Sequence, residues 1–228
     1  MESGVIDFSI TEQNIYQFIA SLPPIPVELK SRPFLLPRKT RSSPPITLVL
    51  DLDETLVHCT TDPDPNSDLV FPVELDSTII QVRCRLRPGI QEFLERAAKH
   101  FEVVLFTASQ KIYADRLLNL LDPERKLIRH RLFRDSCIEM SEIYVKDLSL
   151  LGRDLSQVVI VDNSPQVFGY QLSNGIPIVS WYHDPRDSEL YSVYSFLESL
   201  LGTDDVRPHI DRKYRMQDKV RKAAAPFM

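Results

Sequence analysis

A chain of 228 residues, 43% hydrophobic and 26% charged, falls in the range of ordinary soluble globular proteins and can bury one sizeable core. Its net charge of -5 at pH 7 argues against a nucleic-acid partner, because such binders carry a basic field over the domain. No apolar run reaches bilayer length, Met1-Glu2 opens no signal peptide, and Cys59, Cys84 and Cys137 include no C-x-x-C pair. The expectation is an intracellular monomer, in nucleus or cytoplasm, with neither a membrane anchor in this chain nor a disulfide framework nor a structural zinc.

In chain order, Ser9 with Glu12 forms a capping-box pattern that opens a short helix, and Pro23 and Pro24 end it. A proline-rich arm runs on to Pro45, which gives a first region of residues 1–45. At Ile46 the character changes. Ile46 to Leu50, Val103 to Phe106 and Val158 to Val161 are short apolar runs that stop at small polar or acidic residues, as strands buried on both faces do, and Ile176 to Val179 is a weaker fourth. Between them, Ile90, Phe93, Leu94 and Ala97, then Tyr113, Leu117, Leu118 and Leu121, then Leu190, Val193, Leu197, Leu200 and Leu201 fit helical spacing. Strands alternating with helices predict an α/β fold with a doubly wound parallel sheet over residues 46–202. Leu69 to Leu75 and Thr78 to Leu86 read as a hairpin insertion joined near Asp76-Ser77, and residues 203–228 as a basic tail.

In a doubly wound sheet, ligands bind beyond the carboxyl ends of the strands, where the polar clusters fall. Asp51-Leu52-Asp53-Glu54-Thr55 is the strongest signal, because side chains two apart on an extended segment point the same way and bring two carboxylates to one site. One carboxylate can attack phosphorus while the other donates a proton to the leaving oxygen and then activates water. Mg²⁺, which prefers oxygen ligands and substrate phosphate, is the cation such a pair calls for. An isolated D-x-D is more often a solvated strand end, so the other strand ends matter. Thr107-Ala108-Ser109 offers a hydroxyl and turning amides for a phosphoryl group, Asp162-Asn163-Ser164-Pro165 an oxygen-rich pair for a magnesium shell, and Lys146 a positive charge for phosphate and nucleophile. His58 reads as a packed or surface histidine, and no cysteine has the arginine six positions on that a cysteine phosphatase loop needs. Arg131 and Arg134 are candidates for an anionic substrate, against the ordinary reading of a solvated face.

The clusters DLDET, FTAS, YVKD and VDNSP, in that order, resemble the haloacid-dehalogenase-type phosphatases, and within them the small phosphatases related to those acting on the RNA polymerase II carboxy-terminal domain. The match runs from about Thr40 to Leu201, and the RPHI near the end looks most like the CTD small phosphatase-like branch. The resemblance implies Asp51 as the phosphorylated nucleophile, Asp53 as general acid and base, and Thr55 as a hydroxyl positioning Asp53. It implies Mg²⁺ bound by Asp51, Asp162 and the Asp53 carbonyl with support from Asn163, and phosphate held by Thr107 and Lys146. It also implies a haloacid-dehalogenase-like, Rossmann-type sheet with no large cap, and a phosphorylated protein as substrate. Val73, Leu75, Val82 and Tyr113 match the groove that grips a proline in the polymerase-tail enzymes. Thr61 stands where those relatives carry an aromatic and Gln110 where they carry an aliphatic residue, which weakens an apolar contact worth about 1–2 kcal/mol. Two other readings remain at this stage: a silent phosphatase-like binding module, and a lipid or nuclear-envelope-type phosphatase of the same superfamily.

Overall fold

The computed structural model describes residues 12–26, 32–75, 77–140 and 143–224. Its centre is a parallel sheet of β1 (Thr47–Leu50), β5 (Glu102–Phe106), β6 (His130–Leu132), β9 (Val158–Asp162) and β10 (Gly175–Pro177), in the order β10-β9-β1-β5-β6. The chain leaves β1 to one side for β5 and β6, then returns to the other side for β9 and β10. The order therefore reverses at β1, where open α/β sheets place their ligands.

The uninterrupted apolar runs follow from burial on both faces. Leu48, Leu50, Val103, Leu105, Val159 and Val161 point into one core, and the alternate residues Val49, Val104, Phe106, Val158 and Ile160 into a second. The first core is covered by α2 (Ile90–His100), α3 (Lys111–Leu121) and α4 (Glu189–Ser199), each through the apolar stripe visible in its sequence. The second is covered by Tyr16 and Ile19 of α1 (Glu12–Ser21), Phe168 and Leu172 of the 3-10 segment Pro165–Asn174, and Met216. The fourth apolar run pairs only as Gly175–Pro177, and Val179 is exposed. A Cβ on Gly175 would lie 2.0 Å from the Phe168 ring, so only glycine lets that ring close the second core.

The described parts of both end regions fold against this body. The expected tail forms α5 (Arg207–Tyr214) and α6 (Met216–Ala224), and α6 packs on α1. Ser9 of the capping-box pattern and residues 27–31 of the arm lie outside the described residues. Among the described residues no helix is long and apolar enough to cross a membrane.

The hairpin is present, with Leu75 opposite Thr78; Asp76 of its turn lies outside the described residues. Its strands β3 (Leu69–Leu75) and β4 (Thr78–Leu86) gain a third, β2 (Val57–Thr60), in a separate antiparallel sheet of order β2-β4-β3. A small antiparallel pair, β7 (Ile138–Met140) and β8 (Ile143–Val145), leads into Lys146.

Far from the polar strand ends, buried Glu102 accepts 2.8 Å bonds from Thr47 Oγ1 and from Nε and Nη2 of Arg153, with Lys39 and His130 at 3.5 Å. Burial pushes its carboxyl up, but the Arg153 and Thr47 bonds outweigh this and hold it at about 2, below the ordinary 4.5. A depressed carboxyl stabilises the fold above its unfolded value and loses that contribution as pH falls through the folded one. Stability is therefore expected to drop by about 3 kcal/mol from this group between pH 4.5 and 2. Urea midpoints for wild type and Glu102→Gln across that window check this, and equal slopes would contradict it.

Candidate active site

Asp51 lies one residue beyond β1, its N–H still donating to Val161 O at 3.0 Å. The chain then turns back at Glu54, whose φ of 57° is in the left-handed region. That turn is pinned from three sides: Leu56 and Val57 N–H donate to Leu52 O, Trp181 N–H donates to Glu54 O at 2.8 Å, and Arg87 Nη1 donates to Thr55 O at 3.0 Å. The Arg87 side chain is fully buried and donates Nε and Nη2 to Asp187, each at 2.8 Å. Asp187→Ala would leave this guanidinium buried without its partner. The expected cost is about 3–5 kcal/mol with loss of order in the turn, measured by chemical denaturation.

Asp51, Asp53, Thr107, Arg134, Lys146, Asp162 and Asn163 line one basin of about 240 Å³ at the carboxyl ends of β9, β1 and β5. Lys146 is buried and donates Nζ to Asp51 Oδ1 and to Asp162 Oδ2, both at 2.6 Å. It is seated by its own N–H on Val167 O at 2.7 Å. Burial alone would lower its ammonium, yet the two carboxylates raise it and keep it charged. Asp162 Oδ1 accepts from Ser164 N–H at 2.8 Å; burial first, then the Asp51 charge, push its carboxyl up to about 7 against the pull of Lys146. Thr107 Oγ1 accepts from Ser109 N–H at 3.0 Å, which leaves the hydroxyl proton available to the basin. Arg134 is fixed at the rim, its Nε on Ala108 O at 2.6 Å and its guanidinium 4.8 Å from the centre of the Tyr144 ring.

Asp53 is held by side chains that follow β5, Ser109 in the turn and Tyr113 in α3. Tyr113 OH donates to Oδ1 at 2.6 Å and Ser109 Oγ to Oδ2 at 2.7 Å. Burial pushes the Asp53 carboxyl up to about 6; the Tyr113 and Ser109 bonds work against this, and Asp51 and Glu54 add to it. Two carboxylates two residues apart thus have different surroundings, a nearby ammonium for Asp51 and neutral hydroxyls for Asp53. That division suits one to attack and the other to carry a proton.

Two expectations need correction. Thr55 does not touch Asp53: its hydroxyl donates to Asp51 Oδ2 at 2.9 Å and to Asn163 Oδ1 at 3.3 Å, because the turn folds Thr55 beneath Asp51. Arg131 points away from the basin and binds Asp115 and Asn119 at 2.8 and 2.7 Å. Tyr113 has a polar contact besides its place in the groove. Ser109 and the Arg87–Asp187 pair were missed; Ser109 lay inside the threonine motif, whereas nothing in the local sequence marks a contact between residues 100 positions apart. Asn163 donates to Ser180 Oγ at 2.9 Å, so it braces Thr55 from outside.

Beside the basin lies a groove of about 520 Å³ lined by Val73, Leu75, Ile80, Val82, Ile112 and Tyr113, with Cys59, Thr60, Thr61 and Gln110 adding polar atoms. It shares Asp53 with the basin. The pairing of β3 and β4 places Val73 and Ile80 opposite each other on its wall.

The basin also suits a divalent cation. Asp51, Asp53 and Asp162 bring three carboxyls against one buried ammonium, an excess of negative charge in a place built to take an anion. Among the described residues no three acidic, imidazole or thiol side chains form a closed metal cage. Mg²⁺ needs none, since one or two carboxylates, waters and substrate phosphate complete its octahedron.

The chain is similar to known proteins. Residues 46–207 match the family model described as NLI interacting factor-like phosphatase. CTD small phosphatase-like protein 3 of Caenorhabditis elegans is 52% identical over 211 residues, covering 92% of this chain and 73% of that protein. CTD small phosphatase-like protein 2 of Dictyostelium discoideum is 54% identical, covering 84% of this chain but 34% of that protein. The human carboxy-terminal domain RNA polymerase II polypeptide A small phosphatase 1 is 47% identical, covering 76% and 66%. Among solved structures, that of Fcp1, an essential RNA polymerase II CTD phosphatase, shares the fold with a TM-score of 0.54 at 23% identity, over 72% of this chain and 52% of that one. The chain belongs to the NLI interacting factor-like phosphatase family, with the CTD small phosphatase-like proteins among its relatives.

Proposed function

We propose that the chain is a magnesium-dependent phosphatase of phosphoserine or phosphothreonine in other proteins, working through an aspartyl-phosphate on Asp51. The observation that carries this reading is the pair of carboxylates in one basin, Asp51 on Lys146 and Thr55, Asp53 on Tyr113 and Ser109. In the first step the Asp51 carboxylate attacks phosphorus, the bond from phosphorus to the seryl or threonyl oxygen breaks, and Asp53 gives its proton to that oxygen. In the second, Asp53 takes a proton from water as the water attacks the same phosphorus, freeing Asp51 and inorganic phosphate. Lys146 and Thr55 hold Asp51 in line, while Thr107 and Arg134 donate to phosphoryl oxygens. Asp51, Asp162 and the Asp53 carbonyl would hold Mg²⁺, with Asn163 steadying Thr55. When bound, the cation offsets the charge of phosphate and carboxylates.

An open groove beside the basin and the absence of a large cap among the described residues favour a protein segment over a small metabolite. The polymerase tail named for the human relative is one candidate, and Thr61 and Gln110 favour a more polar neighbour of the phosphoresidue than an all-apolar groove would take. Phosphate release from a phosphopeptide panel and p-nitrophenyl phosphate tests this. Turnover is expected with Mg²⁺ and not with EDTA, together with a ranking of peptides by the residue beside the phosphate. Equal turnover in EDTA would overturn the metal assignment, and no turnover on any substrate would favour a binding module.

A further inference from the structure

Strands β2 and β4 set two thiols face to face. Cys59 and Cys84 are direct partners in the antiparallel register. Arg87 N–H donates to Leu56 O at 3.0 Å, which marks Leu56 and Arg87 as a hydrogen-bonded pair of the same register. Such pairs alternate, so Val57 with Leu86 is non-bonded, His58 with Arg85 bonded, and Cys59 with Cys84 non-bonded. A non-bonded pair brings its Cα atoms to about 4.5 Å with both side chains on one face, inside the span of about 4.4–6.8 Å that a disulfide accepts. Both thiols are free. Their surroundings differ: Cys84 is fully buried in the first core, whereas Cys59 is half-buried and lines the groove beside Asp53 and Tyr113. A hydrogen bond to Cys59 and then burial push the Cys84 thiol far up, and Cys59, which faces the groove while Cys84 is buried, is the thiol a groove-borne oxidant meets first.

We propose that Cys59 and Cys84 are a peroxide-sensitive dithiol whose closure into an intrachain disulfide disables the neighbouring site. The Cys59 sulfur attacks hydrogen peroxide, forming an S–O bond as the O–O bond breaks and releasing one water, to give a sulfenic acid. The Cys84 sulfur then attacks that of Cys59, forming the S–S bond as the S–O bond breaks, and its proton leaves with the hydroxyl as a second water. The two sulfurs lose two electrons together, and the peroxide gains them. Closure draws the sulfurs from contact to about 2 Å and pulls Cys59 toward β4. Cys59 adjoins Tyr113, whose hydroxyl holds Asp53 at 2.6 Å, so the movement reaches the second carboxylate of the basin.

The loss of activity rests on the phosphatase reading, but the disulfide does not. The full chain is treated with hydrogen peroxide, its free thiols are blocked with N-ethylmaleimide, and peptides are mapped before and after dithiothreitol. Magnesium-dependent turnover is followed in parallel and normalised to the untreated rate of each variant. The expected result is a Cys59–Cys84 linked peptide, with Cys137 still alkylated after denaturation, and turnover reduced about tenfold and restored by dithiothreitol. Cys84→Val, which keeps the core filled and every methionine, should show no loss that dithiothreitol reverses. Cys59 ending as a sulfinate or an adduct without the linked peptide would overturn the proposal, as would the linked peptide with an unchanged rate. A chain inactive before treatment would contradict the reading of the basin, while the peptide map would still decide the dithiol.

Discussion

Asp51→Asn is expected to reduce turnover of every phosphomonoester by at least about 10³-fold, because an amide cannot supply the attacking oxygen. The fold should survive the change. Lys146 keeps its 2.6 Å bond to Asp162, and the neutral side chain removes a negative charge that pushes the Asp162 carboxyl up. Chemical denaturation should therefore place the variant within about 1 kcal/mol of wild type. A folded Asp51→Asn chain with near wild-type kcat would exclude Asp51 as nucleophile, whereas an unfolded one would mean the carboxylate is needed for packing.

Asp53→Asn should act differently on different leaving groups. A seryl or threonyl oxygen needs a proton as it departs, and losing the acid should cost about 10²–10⁴-fold. p-Nitrophenol leaves as a stable anion, so transfer to Asp51 should remain fast, and the slow step becomes attack of water on the phosphoenzyme without a base. Stopped-flow mixing should then show a burst of p-nitrophenol close to one per chain, followed by slow turnover. Ser109→Ala and Tyr113→Phe, each removing one hydroxyl from Asp53, should follow the same pattern more weakly. Equal losses in the phosphoryl-transfer step on seryl and aryl phosphates, with no burst of p-nitrophenol, would mean that Asp53 serves binding rather than proton transfer.

Much of this was legible in the sequence because the fold is written in short-range patterns. Val103 to Phe106 and Val158 to Val161 had to be strands buried on both faces, and Asp51, Thr107 and Asp162 had to share an edge once those strands lay parallel. What escaped depends on contacts distant in sequence or on side-chain direction. Val57–Thr60 is too short to announce a strand, and only its pairing with Leu86 to Arg83 makes one. The family resemblance implies a Thr55 hydroxyl on Asp53, but the left-handed Glu54 turns it under Asp51 instead. Tyr113 fitted the apolar stripe of its helix, and nothing in that spacing showed its hydroxyl on Asp53. The ends read as an arm and a tail because prolines and basic residues dominate them; Tyr16, Ile19, Leu36 and Met216 are among the apolar side chains that tie them to the second core.

The most direct measurement is peptide mapping of Asp53→Asn quenched in acid during turnover of p-nitrophenyl phosphate with Mg²⁺. An aspartyl-phosphate mechanism places the phosphoryl group on the peptide holding Asp51, removable by hydroxylamine as an acyl phosphate. Steady turnover with no phosphoryl group on Asp51, or with one on another residue, would contradict it.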